Sequence, residues 1–417
     1  MDQTVPNPDK SLPALKLVVC VFLPFAAGYF LSYLFRVVNA VIASDLAADL
    51  SLTAGALGLL TSAYFLTFAA FQLPLGVLLD RYGPRRVVGV LMIVAGAGSL
   101  LFALGPTLTE LTVGRALIGI GVSGCLMGSF KAFVQWFEPH RLPLVNGCLL
   151  AFGGMGAMAA TSPVEYALSW VDWRTVFVGF SVACVASSAL IWSVVPDHRE
   201  AGRKETIRQQ IAGLRSVFAS AWFWRVAPLA AVLMGGTMAV QGLWAGPWMR
   251  DVAGFDRSGS ATGLLLIAFA MTVGFPLWGL ITMHMSRRGV NPAYVVALGA
   301  AVTQVLLLLL ALQVATGIMI VWMLFAFSGS CGALMFAVIT RSFSPDLAGR
   351  VNAGLNLLVF VGAFAIQWGL GIVIQFWESG AAGGYDPHGY QVAFATLGAL
   401  QLAAYLWFLS GLFAKRA

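Results

Sequence analysis

Phe137-Glu138-Pro139-His140-Arg141-Leu142-Pro143-Leu144-Val145-Asn146 is answered 206 residues later by Phe343-Ser344-Pro345-Asp346-Leu347-Ala348-Gly349-Arg350-Val351-Asn352. Four positions are identical at that offset, which also carries Gly156-Ala157 onto Gly362-Ala363. An offset of 203 carries Gly76 and Arg85-Arg86 onto Gly279 and Arg288. A chain of 417 residues with this period is a duplicated half. Both copies of the loop stand between long apolar runs, so the duplicated unit is a set of hydrophobic segments.

The composition says the same. The residues are 59% apolar and only 10% charged, where soluble domains carry about 25%, and mean hydropathy is +0.87. A soluble enzyme, a disordered chain and a nucleic-acid module are excluded; although the net charge is +7, the basic residues are scattered. Spanning a bilayer takes roughly 20 apolar residues. Twelve such runs occur, at about 17–43, 53–79, 85–105, 111–137, 144–167, 175–195, 225–249, 259–283, 292–313, 317–341, 351–376 and 391–413. Residues 1–16 are polar and lack a cleavable leader pattern, so the first run is an anchor. The expected fold is all-α and integral to the membrane, with two pseudo-symmetric six-helix halves, 1–196 and 225–417, joined by a linker at 197–224. Within the linker Ile207, Ile211, Leu214 and Phe218 recur at helical spacing, which predicts an amphipathic helix along the membrane surface. Placing both termini in the cytoplasm puts 18 of 24 basic residues on that side and leaves Arg174, Arg250 and Arg257 outside. The five cysteines all lie in apolar runs, which predicts no disulfide framework.

After span two stands Gly76-Val77-Leu78-Leu79-Asp80-Arg81-Tyr82-Gly83-Pro84-Arg85-Arg86. This stretch resembles the loop signature of the major facilitator superfamily, and the resemblance implies that Asp80 is set against the positive N-terminus of a helix from the other half while Arg81, Arg85 and Arg86 meet inner-leaflet phosphates. The second-half copy has Met283 in place of Asp80, so the latch is expected on one side only. Span four carries Arg115-Ala116-Leu117-Ile118-Gly119-Ile120-Gly121, an intramembrane arginine with glycines after it. Together these stretches resemble the signatures of the major facilitator superfamily of secondary transporters. The resemblance implies alternating access around a solute site between the halves, with Gly76, Asp80, Arg81, Gly83, Arg85, Arg86 and Arg115 as conformational residues. The Gly-Pro pair of the drug-antiporter motif is missing from Gly153-Gly154-Met155-Gly156 and onward to Pro163.

Span one holds Tyr33-Leu34-Phe35-Arg36, with Arg36 too deep to snorkel; an ionisable group there is functional by default. The pattern resembles the anion:cation symporter branch of the superfamily, in which that arginine holds an organic anion. Phe35 and Val122 stand where that branch keeps acids. This leaves Glu165, near the outer end of span five, as the proton-coupling candidate, with Arg174 as the alternative, a plain ion-pair partner. Tyr29 and Tyr33 share a stripe with Arg36, and Lys131 in span four is a second binder or an inner gate, about 15 to 20 Å away at 1.5 Å per residue. From the second half, Gln241, Trp244 and Asn356 complete the expected site. Trp248 reads either as cavity wall or as interfacial belt.

The expected function is transport of a small organic anion, carboxylate or phosphate bearing, across a cell inner membrane by a monomer in contact with anionic lipid headgroups. The alternatives are a proton-coupled exporter of drugs and a membrane receptor. No phosphate loop, metal constellation or cofactor motif is present, four scattered histidines offer none, and no nucleic-acid partner is indicated.

Overall fold

The computed structural model describes residues 13–197, 207–314, 316–344, 347–377 and 384–414. Expectations that fall on the termini, on 198–206 and on Pro345 and Asp346 lie outside the described residues. Twelve helices are long and apolar enough to cross a membrane: Leu15–Val37, Ala54–Tyr82, Pro84–Leu104, Leu108–Trp136, Leu144–Leu168, Trp173–Val194, Ala221–Asp251, Arg257–Arg287, Pro292–Ala311, Ile318–Thr340, Ala348–Ile374 and Pro387–Leu412. They are numbered spans one to twelve, and "outer" denotes the end remote from the chain termini. Span one reaches further than hydropathy suggests, because after Val38 a helix continues over Asn39–Leu50.

Local chemistry sets the helix ends. Thr53, Asp172, Asp256 and Asn291 each accept from a backbone N–H of the first turn they precede, and Thr107 forms a capping box with Glu110. Gly83, at φ 77°, turns the chain between span two and Pro84, the first residue of span three.

Five spans depart from regular α geometry among the described residues, span five by a break at Ala160 and Thr161. A π turn at Val18–Phe22 lies in span one and another at Val240–Trp244 in span seven. The helix breaks at Ser123 and Gly124 in span four, and tightens to 3-10 over Ser330–Ala333 in span ten. Gly124 and Ser330 are repeat-equivalents at the offset of 206. Irregular backbone at this depth is tolerated only where it is buried in protein or lines a cavity, and spans one, four, five, seven and ten carry it.

The halves meet through spans two and eleven, five and eight, and one and seven. Duplication exchanges the first two pairs and maps one onto seven. Spans one and seven touch at residues that are each other's repeat-equivalents: a Cβ on Gly242 would lie 3.1 Å from the Arg36 carbonyl oxygen, and one on Gly246 would overlap that of Ala40. One turn further out, Arg250 donates to Ser44 Oγ. The three contacts share the offset of 206, so the pseudo-twofold axis runs between these helices.

The linker helix Ile207–Phe218 turns Leu214 and Val217, both buried, onto the protein, where Leu214 and Phe218 face Gly354 of span eleven. Its apolar stripe is thus covered by protein there. Periodicity predicts that a stripe exists and leaves open which surface covers it. Trp248 is 1% exposed and its ring meets Trp322 edge-on at 5.3 Å, so it is second-half core rather than interfacial belt.

Candidate functional site

Arg36 is half-buried on the inner side of the contact between spans one and seven. Its guanidinium carbon lies 4.4 Å from the Tyr33 ring centroid, 5.3 Å from that of Phe360 and 5.8 Å from that of Phe68. The Phe68 and Phe360 rings, one from each half, stack at 4.1 Å. Tyr64, whose hydroxyl donates to the Ser32 carbonyl at 3.2 Å, stands beside Arg36, and Arg36 Nε has no partner. Among the described residues no carboxylate lies within ion-pair distance of it. Removing a guanidinium from water costs several kcal/mol; each ring contact returns about 0.5 to 2 kcal/mol. The charge is therefore incompletely compensated among the described residues.

Gln241 stands beside Gly242 in the π turn, buried, with Nε2 unpartnered. Trp244 is fully buried; its indole donates to the Gln367 carbonyl at 2.9 Å and packs over Gly58 and Gly371. Gln367 in turn donates to Thr61 Oγ1 at 2.8 Å, a hydrogen bond between the halves. Asn356 is half-buried one turn inward of Phe360 on span eleven. Tyr29, 3% exposed, meets Tyr33 edge-on at 5.1 Å and is backed by Gly153. Thr61, Tyr64, Phe68 and Phe360 are the members of this layer that motif reading passes over, whereas Gln367 is a polar residue the sequence offers in span eleven. Polarity inside an apolar run is a signal for Thr61 and Gln367, and nothing in the sequence distinguishes the two phenylalanines from core.

Arg115 is fully buried inside the first half. It donates to the Phe35 carbonyl at 3.2 Å and lies 5.3 Å from the Tyr64 ring centroid. Arg36 and Arg115 thus flank one tyrosine, with Arg115 fixing the backbone beside Arg36.

The outer end is bolted by Arg257 at the start of span eight. Its guanidinium takes both oxygens of Asp45, at 2.8 and 2.6 Å, and donates from Nε to Glu165 at 2.6 Å. Glu165 therefore pairs across the halves, while Arg174 bonds Asp49 and the carbonyls of Ala103 and Gly105. Nor is Glu165 alone: Asp45 shares its guanidinium. At the inner end Lys131 pairs with Asp80, and Arg86 with Asp197 at 2.9 Å; neither pair reaches the second half. The latch expected between Asp80 and a helix of the other half is replaced here by the lysine of span four. A nearer cation of opposite charge outcompetes a distant helix dipole.

A family model described as Major Facilitator Superfamily matches residues 25–367. A probable sulfoacetate transporter of Cupriavidus necator is 24% identical over 382 residues, 88% of this chain and 82% of that protein. A hexuronate transporter of Bacillus subtilis is 30% identical over 181 residues, 43% of this chain and 41% of that protein. Among solved structures, a bacterial homolog of the human lysosomal transporter Spinster, in an inward-facing and unoccupied conformation, superposes with a TM-score of 0.77 at 16% identity, covering 95% of this chain and 97% of that one. At that identity the likeness speaks for the fold.

Proposed function

The chain belongs to the Major Facilitator Superfamily and is a multi-pass membrane transporter of small molecules rather than an enzyme; from that premise we propose that its cargo is a small organic anion captured by Arg36. The observation that carries this reading is the guanidinium in the seam between the halves, ringed by aromatic faces and without a carboxylate. Two relatives are named for organic acids, which supports the class. In this reading Tyr33, Tyr29, Gln241 and Asn356 shape the cargo's surroundings, Trp244 seals the layer outward, and Lys131 with Asp80 forms the inner latch. Gly76, Gly83, Arg81, Arg85, Arg86 and Arg115 serve the motion of 1–196 against 225–417, the three loop arginines on anionic headgroups of a cell inner membrane. The linker 197–224 joins the two bodies within a monomer.

Arg36→Ala is expected to abolish saturable uptake into proteoliposomes. Arg36→Lys should be severely impaired, because the planar fork that binds a carboxylate bidentately is lost. A thermal-shift screen of the purified protein with sulfoacetate, hexuronates and lipophilic cations tests the class. Stabilisation by the cations alone would replace the anion reading with drug export.

Glu165 is the coupling carboxyl in this reading, since its proton would compete with Arg257 for the bolt; Asp45, Arg257 and Arg250 are the charged groups facing it. An inward acid gradient should drive accumulation in wild type, and Glu165→Gln should remove that drive while sparing counterflow. A gradient without effect on wild type leaves an exchanger or uniporter.

A further inference from the structure

Outward of the bolted seam lies a cavity of about 220 Å³, lined by Ser44, Ala47, Leu57, Arg250, Asp251 and Tyr385 among others. About one helical turn inward of Ser44 and Arg250 on its wall, the Gly246–Ala40 contact closes spans one and seven. From Arg36 to Ser44 is two helical turns, about 12 Å along the axis. The cavity and the Arg36 layer are thus separate places on opposite sides of one closure.

The wall is chemically uneven. Arg257 is saturated by two carboxylates and Arg174 by a carboxylate and two carbonyls. Arg250, half-buried on the wall, donates to Ser44 Oγ, and among the described residues no carboxylate comes within ion-pair distance of it. A guanidinium carries five N–H donors, so most of its capacity is unspent. Asp251, its chain neighbour, is engaged elsewhere: Oδ2 accepts from the Tyr390 hydroxyl at 2.6 Å and from the Tyr385 N–H at 3.1 Å. The Tyr385 hydroxyl is buried without a partner. Burial and the Asp251 carboxylate push that phenol up to about 12, so it remains a donor at physiological pH. At about 30 Å³ per water, the space admits a solute of a handful of heavy atoms.

We propose that this cavity is a second anion site, at which Arg250, with Ser44 and Tyr385, holds a carboxylate- or sulfonate-bearing solute outside the closed gate. It does not depend on Arg36 being the inner binder. A solute there takes the guanidinium that otherwise ties span seven to Ser44, so its occupancy loosens the contact that keeps the outer end shut.

The test places a cysteine on the wall, Ala47→Cys, in full-length protein whose native cysteines are replaced by serine, reconstituted in liposomes. Labelling by an impermeant maleimide from outside is timed with sulfoacetate, acetate, or chloride at equal ionic strength, in both the Arg36 and Arg36→Ala backgrounds. Sulfoacetate at a few times its dissociation constant should slow labelling about threefold or more in both. Arg250→Gln should abolish that protection and Arg250→Lys retain part of it, with thermal unfolding of each variant reporting that it is folded. Protection that survives Arg250→Gln, that vanishes in Arg36→Ala, or that neither anion gives overturns the proposal. Failure of the inner-site reading would show separately, as saturable uptake persisting in Arg36→Ala.

Discussion

Spans one and seven, and spans four and ten, are the two pairs that duplication relates across the centre of the molecule, and the structure treats them differently. One and seven lie backbone to backbone, with Gly242 against the Arg36 carbonyl and Gly246 against that of Ala40. Four and ten have no contact of comparable extent among the described residues. The Arg257 ion pairs join the halves at the outer end, while the Lys131–Asp80 and Arg86–Asp197 pairs at the inner end do not reach the second half. One sequence pattern, used twice, has been resolved into a closed end and a parted end, which is the asymmetry a transporter must be able to reverse.

The closure is built to be reversible. The Arg257 pairs are partly exposed, so each is worth about 1 kcal/mol or less after screening. The Gln367–Thr61 hydrogen bond between the halves adds about 1 kcal/mol. A differential affinity of a few kcal/mol is then enough to exchange the ends.

The difference between the ends is attacked most directly at Gly246. A valine there drives its Cβ into the Ala40 carbonyl oxygen, which has no rotamer with which to yield. Overpacking of this kind costs about 3 kcal/mol, roughly a hundredfold in the equilibrium between ends. Gly246→Val should leave the outer end open, with fast outside labelling of a cysteine at Ala43 and near-zero uptake. Gly147→Val, inward on span five with nothing within 4 Å of its Cβ, should label and transport like wild type. Equal behaviour of the two variants would remove the distinction between the ends.

A smaller effect is expected at the bolt. Arg257→Gln should raise outside labelling by up to about thirtyfold, the equivalent of two screened ion pairs of about 1 kcal/mol each. Least of all, Lys131→Ala should change outside labelling less than about twofold, since its pair with Asp80 stays inside one half. It should instead raise the apparent Michaelis constant or slow exchange, read from uptake and counterflow.

Much of this is legible in the chain. Glu165 and Arg36 stand out by charge in an apolar context, Asp80 and Arg115 by motif, and Gln241 by polarity in a buried run. Proximity along the chain gives Glu165 the wrong partner, however, because Arg174 is near in sequence and Arg257 is near only in space. The shared face drawn through Gln241, Trp244 and Trp248 assumes 3.6 residues per turn. The π turn at Val240–Trp244 rotates the residues beyond it, and Trp248 ends in the second-half core.

Twelve spans, their grouping by duplication, and an arginine that water cannot reach freely are all fixed in the linear chain. Those are sums over local hydropathy and identities at a fixed offset, and hydrocarbon enforces them segment by segment. It took the packed molecule to settle that residues 206 apart would meet themselves across an axis at spans one and seven and stay apart at four and ten. Packing also settled that Asp80 would find Lys131, and that Arg250 would be left with donors to spare. Such pairings depend on how two near-identical bundles lean against each other. That lean is set by glycine contacts and a few screened charges worth about 1 kcal/mol each, too small to be written in any one segment.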